Sequence, residues 1–488
     1  MKKNRNTDLL IIGAGVVGSA LARELSRYEA ELCVLEKGAD ICSGASKANS
    51  GIVHAGFDAL PGTLKARLNV EGARMYPELC QELQVPYRNN GAMVLAFDDR
   101  DVDTLKRLLE QGRENGVHGM RLLSAKEMLA LEPNANPEVA AALLVPESGI
   151  TSPYEMTYAL ADHAAVNGAV FLRDAEALQV QRTGEGWTVE TPEGTITCRI
   201  LVNCAGAGAA GIHEQMTGEK IGIVARRGQY HLLDHQKNPA FDRTMFQCPT
   251  PMGKGVLISP TVHGNLLIGP TAEDIEDAED TATTAQGLQN ALETAQRTMP
   301  FLNLRSEITN FAGVRMHAQG DDFIIGPVAR CPHAYETLGI ESPGLSAAPA
   351  IARMLAEQIA EEEGLKRKET WKPAPRRERP FNELSAEEQQ QAIQANPMHG
   401  RIICRCEVVT EAEIRAAIAR PVGARTIDGV KRRTRAGMGR CQGGFCSPRV
   451  AEILAEELGI PMTEVTKDGG NSRLLVGDLL VQEGQADE

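Results

Sequence analysis

Two groups of residues in this sequence have the types and spacing for redox chemistry. Near the C-terminus, Cys404-Arg405-Cys406 is followed after 34 residues by Cys441-Gln-Gly-Gly-Phe-Cys446, which together supply four thiolates. Four cysteines can hold zinc or an iron–sulfur cluster. Zinc sites more often space both pairs by two to four residues, so the tight Cys-x-Cys is less usual for them. Near the N-terminus, Gly13-Ala14-Gly15-Val16-Val17-Gly18 precedes Glu36. Gly13 permits a tight turn, Gly15 lets the backbone approach a pyrophosphate, and Gly18 lets a helix pack on a strand. Glu36 would accept hydrogen bonds from ribose hydroxyls. This is the pattern of a dinucleotide site, and by itself it does not separate FAD from NAD.

Each group needs elements that position it. Leu9–Ile12 reads as an apolar strand, 16–27 as a helix and Leu32–Leu35 as a second strand ending at Glu36, a βαβ unit. At the other end, Thr410 with Glu413 forms a capping-box pattern. Ser447-Pro448 reads as an N-cap followed by proline at the first helical position. Both cysteine pairs thus precede helices, whose N-termini stabilise thiolates. Gly443 and Gly444 would let backbone N–H groups turn toward sulfur. Helical stretches alternate with period-2 runs between 60 and 200, and strand-like runs such as YHLLD, GVLISPTV, NLLIGP and DFIIGP fill 220–330. A helix over 348–363 leads into a polar, proline-bearing stretch that reads as an interdomain linker.

The 488 residues suggest about three domains. Aromatics are only 4%, so the core rests on aliphatic side chains. The net charge of −14 argues against generic nucleic-acid binding. Residues 401–449 nonetheless carry eleven basic against four acidic side chains, a net of +7, which leaves −21 for the rest of the chain. The basic run Lys431–Arg440 lacks interleaved aromatics for stacking on bases. It reads instead as a neighbour of an anionic cluster, with a solvated helix face as the alternative, and the wider basic surface of 401–449 reads as a dock for an acidic partner. No apolar run reaches the length of a membrane span and no signal peptide is read, so a cytoplasmic protein is expected, with peripheral membrane association through a partner left open. Seven other cysteines are scattered; Cys33 and Cys204 read as core, and Cys42 is not taken as a flavin attachment point.

Three further segments resemble one superfamily. ILVNCAGAGA (200–209) resembles the second strand-turn of flavoproteins of the D-amino-acid-oxidase-like superfamily. SGASKANSGIVHAGFD (43–58) is similar to the flavin-approaching loop of glycerol-3-phosphate and L-2-hydroxyglutarate dehydrogenases. LGIESPGLSAAPAIA (338–352) resembles the late glycine-rich turn that closes over the flavin. The resemblance implies FAD rather than NAD. It implies contacts from Lys37 beside Glu36, Ser46 and Ser50 in the loop, Ala205 and Gly206 in the strand-turn, Gly313, and Gly339, Ile340, Glu341, Gly344 and Leu345 in the late turn. The stretch from Ile402 to Cys446 resembles the bacterioferritin-associated-ferredoxin-like 2Fe–2S domain, with Cys404, Cys406, Cys441 and Cys446 as ligands.

The fold class that follows is α/β: a Rossmann-type FAD-binding domain interwoven with an α+β substrate domain, then a small helical 2Fe–2S domain. The expected boundaries are 1–75, 151–215 and 311–366 for FAD binding, 76–150 and 216–310 for substrate, 367–397 for the linker, 398–461 for the cluster and 462–488 for a tail.

Phe311-Ala-Gly-Val-Arg315-Met-His317 resembles the turn that, in this superfamily, aims a guanidinium at the substrate's anionic group. Arg227 is a second candidate. Oxidising an alcohol also needs a base for the hydroxyl proton, and histidine suits that role. His54 lies in the flavin-approaching loop where the related families place one; His263 and His317 are the other candidates. Glycerol-3-phosphate dehydrogenases carry proline after the arginine and a lysine in the late turn, whereas this chain has Met316 and GIESPG, closer to L-2-hydroxyglutarate dehydrogenase. The expectation is an FAD-dependent dehydrogenase of a small anionic hydroxy compound, glycerol 3-phosphate or an L-2-hydroxy acid. Its electrons would leave through the cluster to a second redox subunit or an acceptor protein. An amino- or imino-acid dehydrogenase and a non-catalytic iron–sulfur relay are the rival readings.

Overall fold

A computed structural model describes residues 4–235, 240–249 and 255–477, and the chain divides into two compact units. The first comprises residues up to Lys37 and Cys42–Arg376; the second comprises Gly38–Ile41 and the chain from Arg377 onward. No helix among the described residues is long and apolar enough to cross a membrane.

The first unit is built on two large sheets, with a small three-stranded one formed by Ile52–Val53, Gly149–Thr151 and Tyr87–Arg88. In the eight-stranded sheet, Arg5–Ile12 runs parallel to Leu32–Leu35 on one side and Gly194–Asn203 on the other, with Ile12 opposite both Leu35 and Asn203. Leu9–Ile12 and Leu32–Leu35 are buried throughout, which is why they read as unbroken apolar runs rather than alternating ones. Val16–Leu25 is the crossover helix between the first two strands, and Gly344–Glu362 packs against it.

The nine-stranded sheet contains Ala92–Ala96, Ala141–Val145 and the long antiparallel pair Ile223–Leu233 and Glu307–Ala318. That pairing keeps Glu307–Ala318 whole within this sheet, so a domain boundary at 310/311 would cut through a strand. The two large cores around this sheet are mostly aliphatic, with Phe57, Phe241 and Phe246 the fully buried rings.

The stretch expected as a linker divides in two. Its first part is a strap on the first unit: Lys368 N donates to Arg27 O, Trp371 Nε1 donates to Ser26 Oγ, and the Arg27 guanidinium lies 3.5 Å from the Trp371 ring centroid. Its second part belongs to the second unit and includes a helix at Ala386–Ala395, begun by a Ser385–Glu388 capping box.

The second unit packs Glu411–Ala419, Ile427–Thr434 and Ser447–Leu458 around a small core that includes Cys404 and Cys446. The capping box at Thr410 and Glu413 forms as the sequence suggests. At the third helix the N-cap is Cys446 itself rather than Ser447, which puts the sulfur one position closer to the cap.

The arginines at the centre of the basic run turn inward. Arg433 is 7% exposed and donates to both Asp40 oxygens, at 2.6 and 2.8 Å, and to the carbonyls of Val422 and Gly429. Arg432 pairs with Asp468 at 2.9 Å and Arg435 with Glu407 at 2.7 Å. The described part of the tail packs here too, with Val465 buried in the core; residues 478–488 lie outside the described residues.

Candidate functional site

The parallel strands bring two glycine turns together at their carboxyl ends, where open α/β sheets bind ligands. Gly13 has φ +102°, and a Cβ there would sit 2.3 Å from the Cys204 carbonyl oxygen. A Cβ on Gly18 would lie 2.0 Å from the Gly13 carbonyl oxygen. The turn that follows, Ala205–Gly208, is half-buried to exposed, leaving room beside the fingerprint. Val16–Leu25 has no side-chain cap from its own N-cap residue Gly15; the Ser46 hydroxyl reaches across and accepts from Val16 N at 2.9 Å. Glu36 is buried and accepts from Ala14 N at 3.2 Å, which fixes its carboxylate at the end of the second strand. The helix Gly344–Glu362 also starts without a side-chain cap; Gly344 N donates to Glu341 O at 2.5 Å, and Leu345 follows as a first-turn backbone donor. These residues fit the pyrophosphate and ribose of a dinucleotide. Gly13→Ala is expected to lose flavin stoichiometry, because no L side chain fits both the space and the φ; a wild-type FAD-to-protein ratio would refute that assignment.

Four other expected cofactor contacts have the following protein surroundings. Lys37 is exposed and pairs with Glu279. Ser50 Oγ makes no hydrogen bond with another described residue. Gly339 has φ +67°, and a Cβ there would lie 2.5 Å from Ala318 Cβ. A Cβ on Gly313 would lie 2.0 Å from Ala48 O, so this glycine lets the 43–58 loop cross the second sheet.

The antiparallel register then sorts the substrate candidates. Gly228 lies opposite Gly313, Arg226 opposite Arg315, and Val224 opposite His317, so these residues share one face. Arg227 projects to the other face. There it is buried and held by Glu273 at 2.8 Å and Asp280 at 2.6 Å, which neutralises its charge. Arg315 has no carboxylate partner among the described residues. Among the described residues its Nη2 donates only to Thr271 O at 3.4 Å, and its buried Nε has no partner. A half-buried guanidinium left in that state is suited to an anion from outside the chain.

The late turn links this face to the loop. Glu341 accepts from His317 Nδ1 at 2.8 Å and from Lys65 Nζ at 3.1 Å, and Lys65 also pairs with Asp321 at 2.8 Å. Burial would lower the Lys65 pKa, but the adjacent Glu341 and Asp321 carboxylates raise it, so the ammonium stays charged among them. The next residue, Ser342, lies 3.5 Å from His54 Nε2, and His54 N donates to Ser346 Oγ at 2.8 Å. His54 and His317 are thus tied to adjacent residues of one turn. His263 pairs instead with Glu155 at 2.7 Å. Sequence reasoning missed Lys65 and Ser342. Lys65 carries no local signal, because its partner Glu341 is 276 positions away.

The four module cysteines form two close pairs. Cys406 and Cys441 have sulfurs 3.8 Å apart, and the Cys446 thiol donates to Cys404. That hydrogen bond, helped by N–H groups of Gly437, Glu407 and Cys406, outweighs burial and lowers the Cys404 pKa to about 6. Burial raises the Cys441 thiol, but N–H groups of Phe445, Gly443 and Gly444 and the Cys406 thiol bring it down overall. Converging backbone donors are what an anionic thiolate cluster needs, and Gly443 at φ +85° lets the loop supply them. Cys404 and Cys446 are buried while Cys406 is exposed, so one edge of the ligand set faces out. The scattered Cys33 and Cys204 are buried core residues, and burial pushes the Cys204 thiol up to about 12.

Residues 8–358 match the FAD dependent oxidoreductase family (DAO), and 402–456 match the BFD-like [2Fe-2S] binding domain. A glycerol 3-phosphate dehydrogenase of Caloramator mitchellensis is 47% identical over 96% of this chain and 98% of its own. A glycerol 3-phosphate oxidase of Mycoplasma pneumoniae is 31% identical over 71% of this chain and 92% of its own. The solved structure of L-alpha-glycerophosphate oxidase from M. pneumoniae with FAD bound superposes with a TM-score of 0.71 at 30% identity, covering 75% of this chain and 97% of that one. An L-2-hydroxyglutarate dehydrogenase of Arabidopsis thaliana is more distant, at 27% identity over 72% of this chain and 83% of its own. On these matches the chain belongs to the FAD-dependent oxidoreductases of the DAO family, a flavoenzyme similar to glycerol-3-phosphate dehydrogenase with a C-terminal 2Fe–2S domain.

Proposed function

We propose that this enzyme oxidises glycerol 3-phosphate at its secondary alcohol, giving the ketone, and passes the electrons through its cluster to a separate acceptor protein. The observation that carries the reading is the 47% identity to the Caloramator dehydrogenase, which spans the cluster module as well as the flavin body. FAD supplies the hydride acceptor and the 2Fe–2S centre a one-electron outlet.

The chain's own residues do the rest. Arg315 holds the substrate anion through its unpaired guanidinium. His54 takes the hydroxyl proton on its ring, kept in place by its backbone bond to Ser346 and the approach of Ser342. The ring sits beside Phe246, with centroids 5.8 Å apart, which shields it from water on that side. The cluster module supports a dehydrogenase rather than an oxidase, since oxygen taking electrons at the flavin would leave the cluster without a task.

The test is anaerobic flavin bleaching with glycerol 3-phosphate, L-2-hydroxyglutarate and L-proline offered separately. Glycerol 3-phosphate is expected to bleach fastest; bleaching by L-2-hydroxyglutarate alone would overturn the substrate, and bleaching by none would favour an electron relay. His54→Gln should slow bleaching by about 10²–10⁴-fold with little change in substrate affinity. An unaltered rate would remove His54 as the base.

A further inference from the structure

We propose that His317 is a second anion-binding residue beside Arg315, and that its protonated ring lets the site hold a doubly charged group. The inference rests on the reading of Arg315 as the substrate's anion partner. Arg315 and His317 are alternate residues of one strand and face the same way. The ring's Nδ1 is fixed by Glu341 at 2.8 Å, while Nε2 has no partner among the described residues. The His317 side chain is 22% exposed, so that nitrogen is open to a ligand.

The late turn explains why histidine is needed. A lysine does reach it, but Lys65 is committed to Glu341 and Asp321 and brings no net positive charge. On the same face Arg226 is matched by Asp274, with Nε to Oδ1 at 2.6 Å. Arg315 is therefore the one guanidinium on this face without a carboxylate among the described residues. A phosphate dianion needs more than one positive partner to be desolvated without loss.

Glu341 accepts the Nδ1 proton, so the neutral ring presents only a lone pair at Nε2. The protonated ring presents an N–H donor there together with a positive charge. Glu341, Asp274, Arg226, Arg315, Lys65 and Asp321 are the charged groups around it. Of these, Glu341 makes the direct contact, and Asp274 is held below its usual range by Arg226 first and by His317 more weakly. Anion affinity due to His317 is therefore present while the ring is protonated and is lost as rising pH removes the proton.

Sulfate is the suitable probe, since it stays a dianion throughout. Its dissociation constant from the oxidised FAD-loaded enzyme is read from the flavin absorbance change between pH 5.5 and 8.5. In the unaltered protein the constant should rise with pH, by up to about tenfold per unit. In His317→Asn, whose amide can still donate to Glu341, it should be about tenfold higher at low pH and flat. His317→Gln serves in the same titration if the asparagine variant does not retain flavin. An identical pH slope with and without His317 would overturn the proposal. Bleaching by L-2-hydroxyglutarate in place of glycerol 3-phosphate would overturn the substrate reading alone, because the sulfate titration still decides the role of His317.

Discussion

Arg315→Ala should lower the second-order rate of flavin reduction by glycerol 3-phosphate by about 10²–10³-fold, with FAD content unchanged. The magnitude follows from removing a charge-assisted partner of a desolvated anion, which costs about 2–5 kcal/mol, at roughly 1.4 kcal/mol per tenfold. The loss should appear as weaker substrate binding and slower reduction together, since an anchor on the substrate's anion would also orient its alcohol for hydride transfer. Arg315→Lys should recover part of the affinity but less of the rate, because a single ammonium cannot reproduce a bidentate fork. The partners argue against a structural role: one long bond to the Thr271 carbonyl is the hydrogen bond this side chain makes among the described residues. Flavin loss in proportion to activity loss would show instead that Arg315 supports the fold.

The second large effect is on stability. Arg433→Ala should destabilise the cluster-bearing unit by about 3–5 kcal/mol, since it leaves the Asp40 carboxylate buried and without its bidentate partner. It also strips donors from the carbonyls of Val422 and Gly429. Denaturant unfolding followed by the visible absorbance of the cluster would measure this. Arg405→Ala is the control, an exposed arginine with no ion pair among the described residues, and should change the midpoint little. The double replacement Asp40→Leu with Arg433→Leu should recover much of the loss. An Arg433→Ala protein as stable as the control would show that the pair contributes nothing.

The parts of this protein that were legible in the sequence are those fixed locally. Gly13, Gly18 and Glu36 sit within one βαβ unit, and their spacing alone implies the turn, the close approach and the acid that the structure shows. The four cysteines were equally plain, because ligand and cap residues are neighbours in the chain. Arg315 ranks ahead of Arg227 on its motif, but the physical reason for that order was not legible. It depends on strand register, which places the two on opposite faces, and on the distant Glu273 and Asp280 that neutralise one of them. The inward pairing of the basic run was hidden for the same reason. Its composition is local, but the carboxylates that absorb its charge, Asp40, Glu407 and Asp468, are scattered over the chain. Lys65 was invisible as a site residue because nothing near it in sequence signals the late turn. Charge read from a window counts side chains, whereas the site responds only to those left unpaired.

Asp40 and Arg433 are 393 positions apart. A ribosome adding roughly 5–20 residues per second leaves about 20–80 s between synthesis of the aspartate and of its arginine. Throughout that interval the segment 38–41 is already made, just after the strand Leu32–Leu35, while the unit it completes is still untranslated. The C-terminal module is therefore not a detachable cassette. Messages truncated before the last hundred codons would yield a flavin body carrying an unsatisfied acidic loop, and quality control would meet that loop before it met the missing cluster.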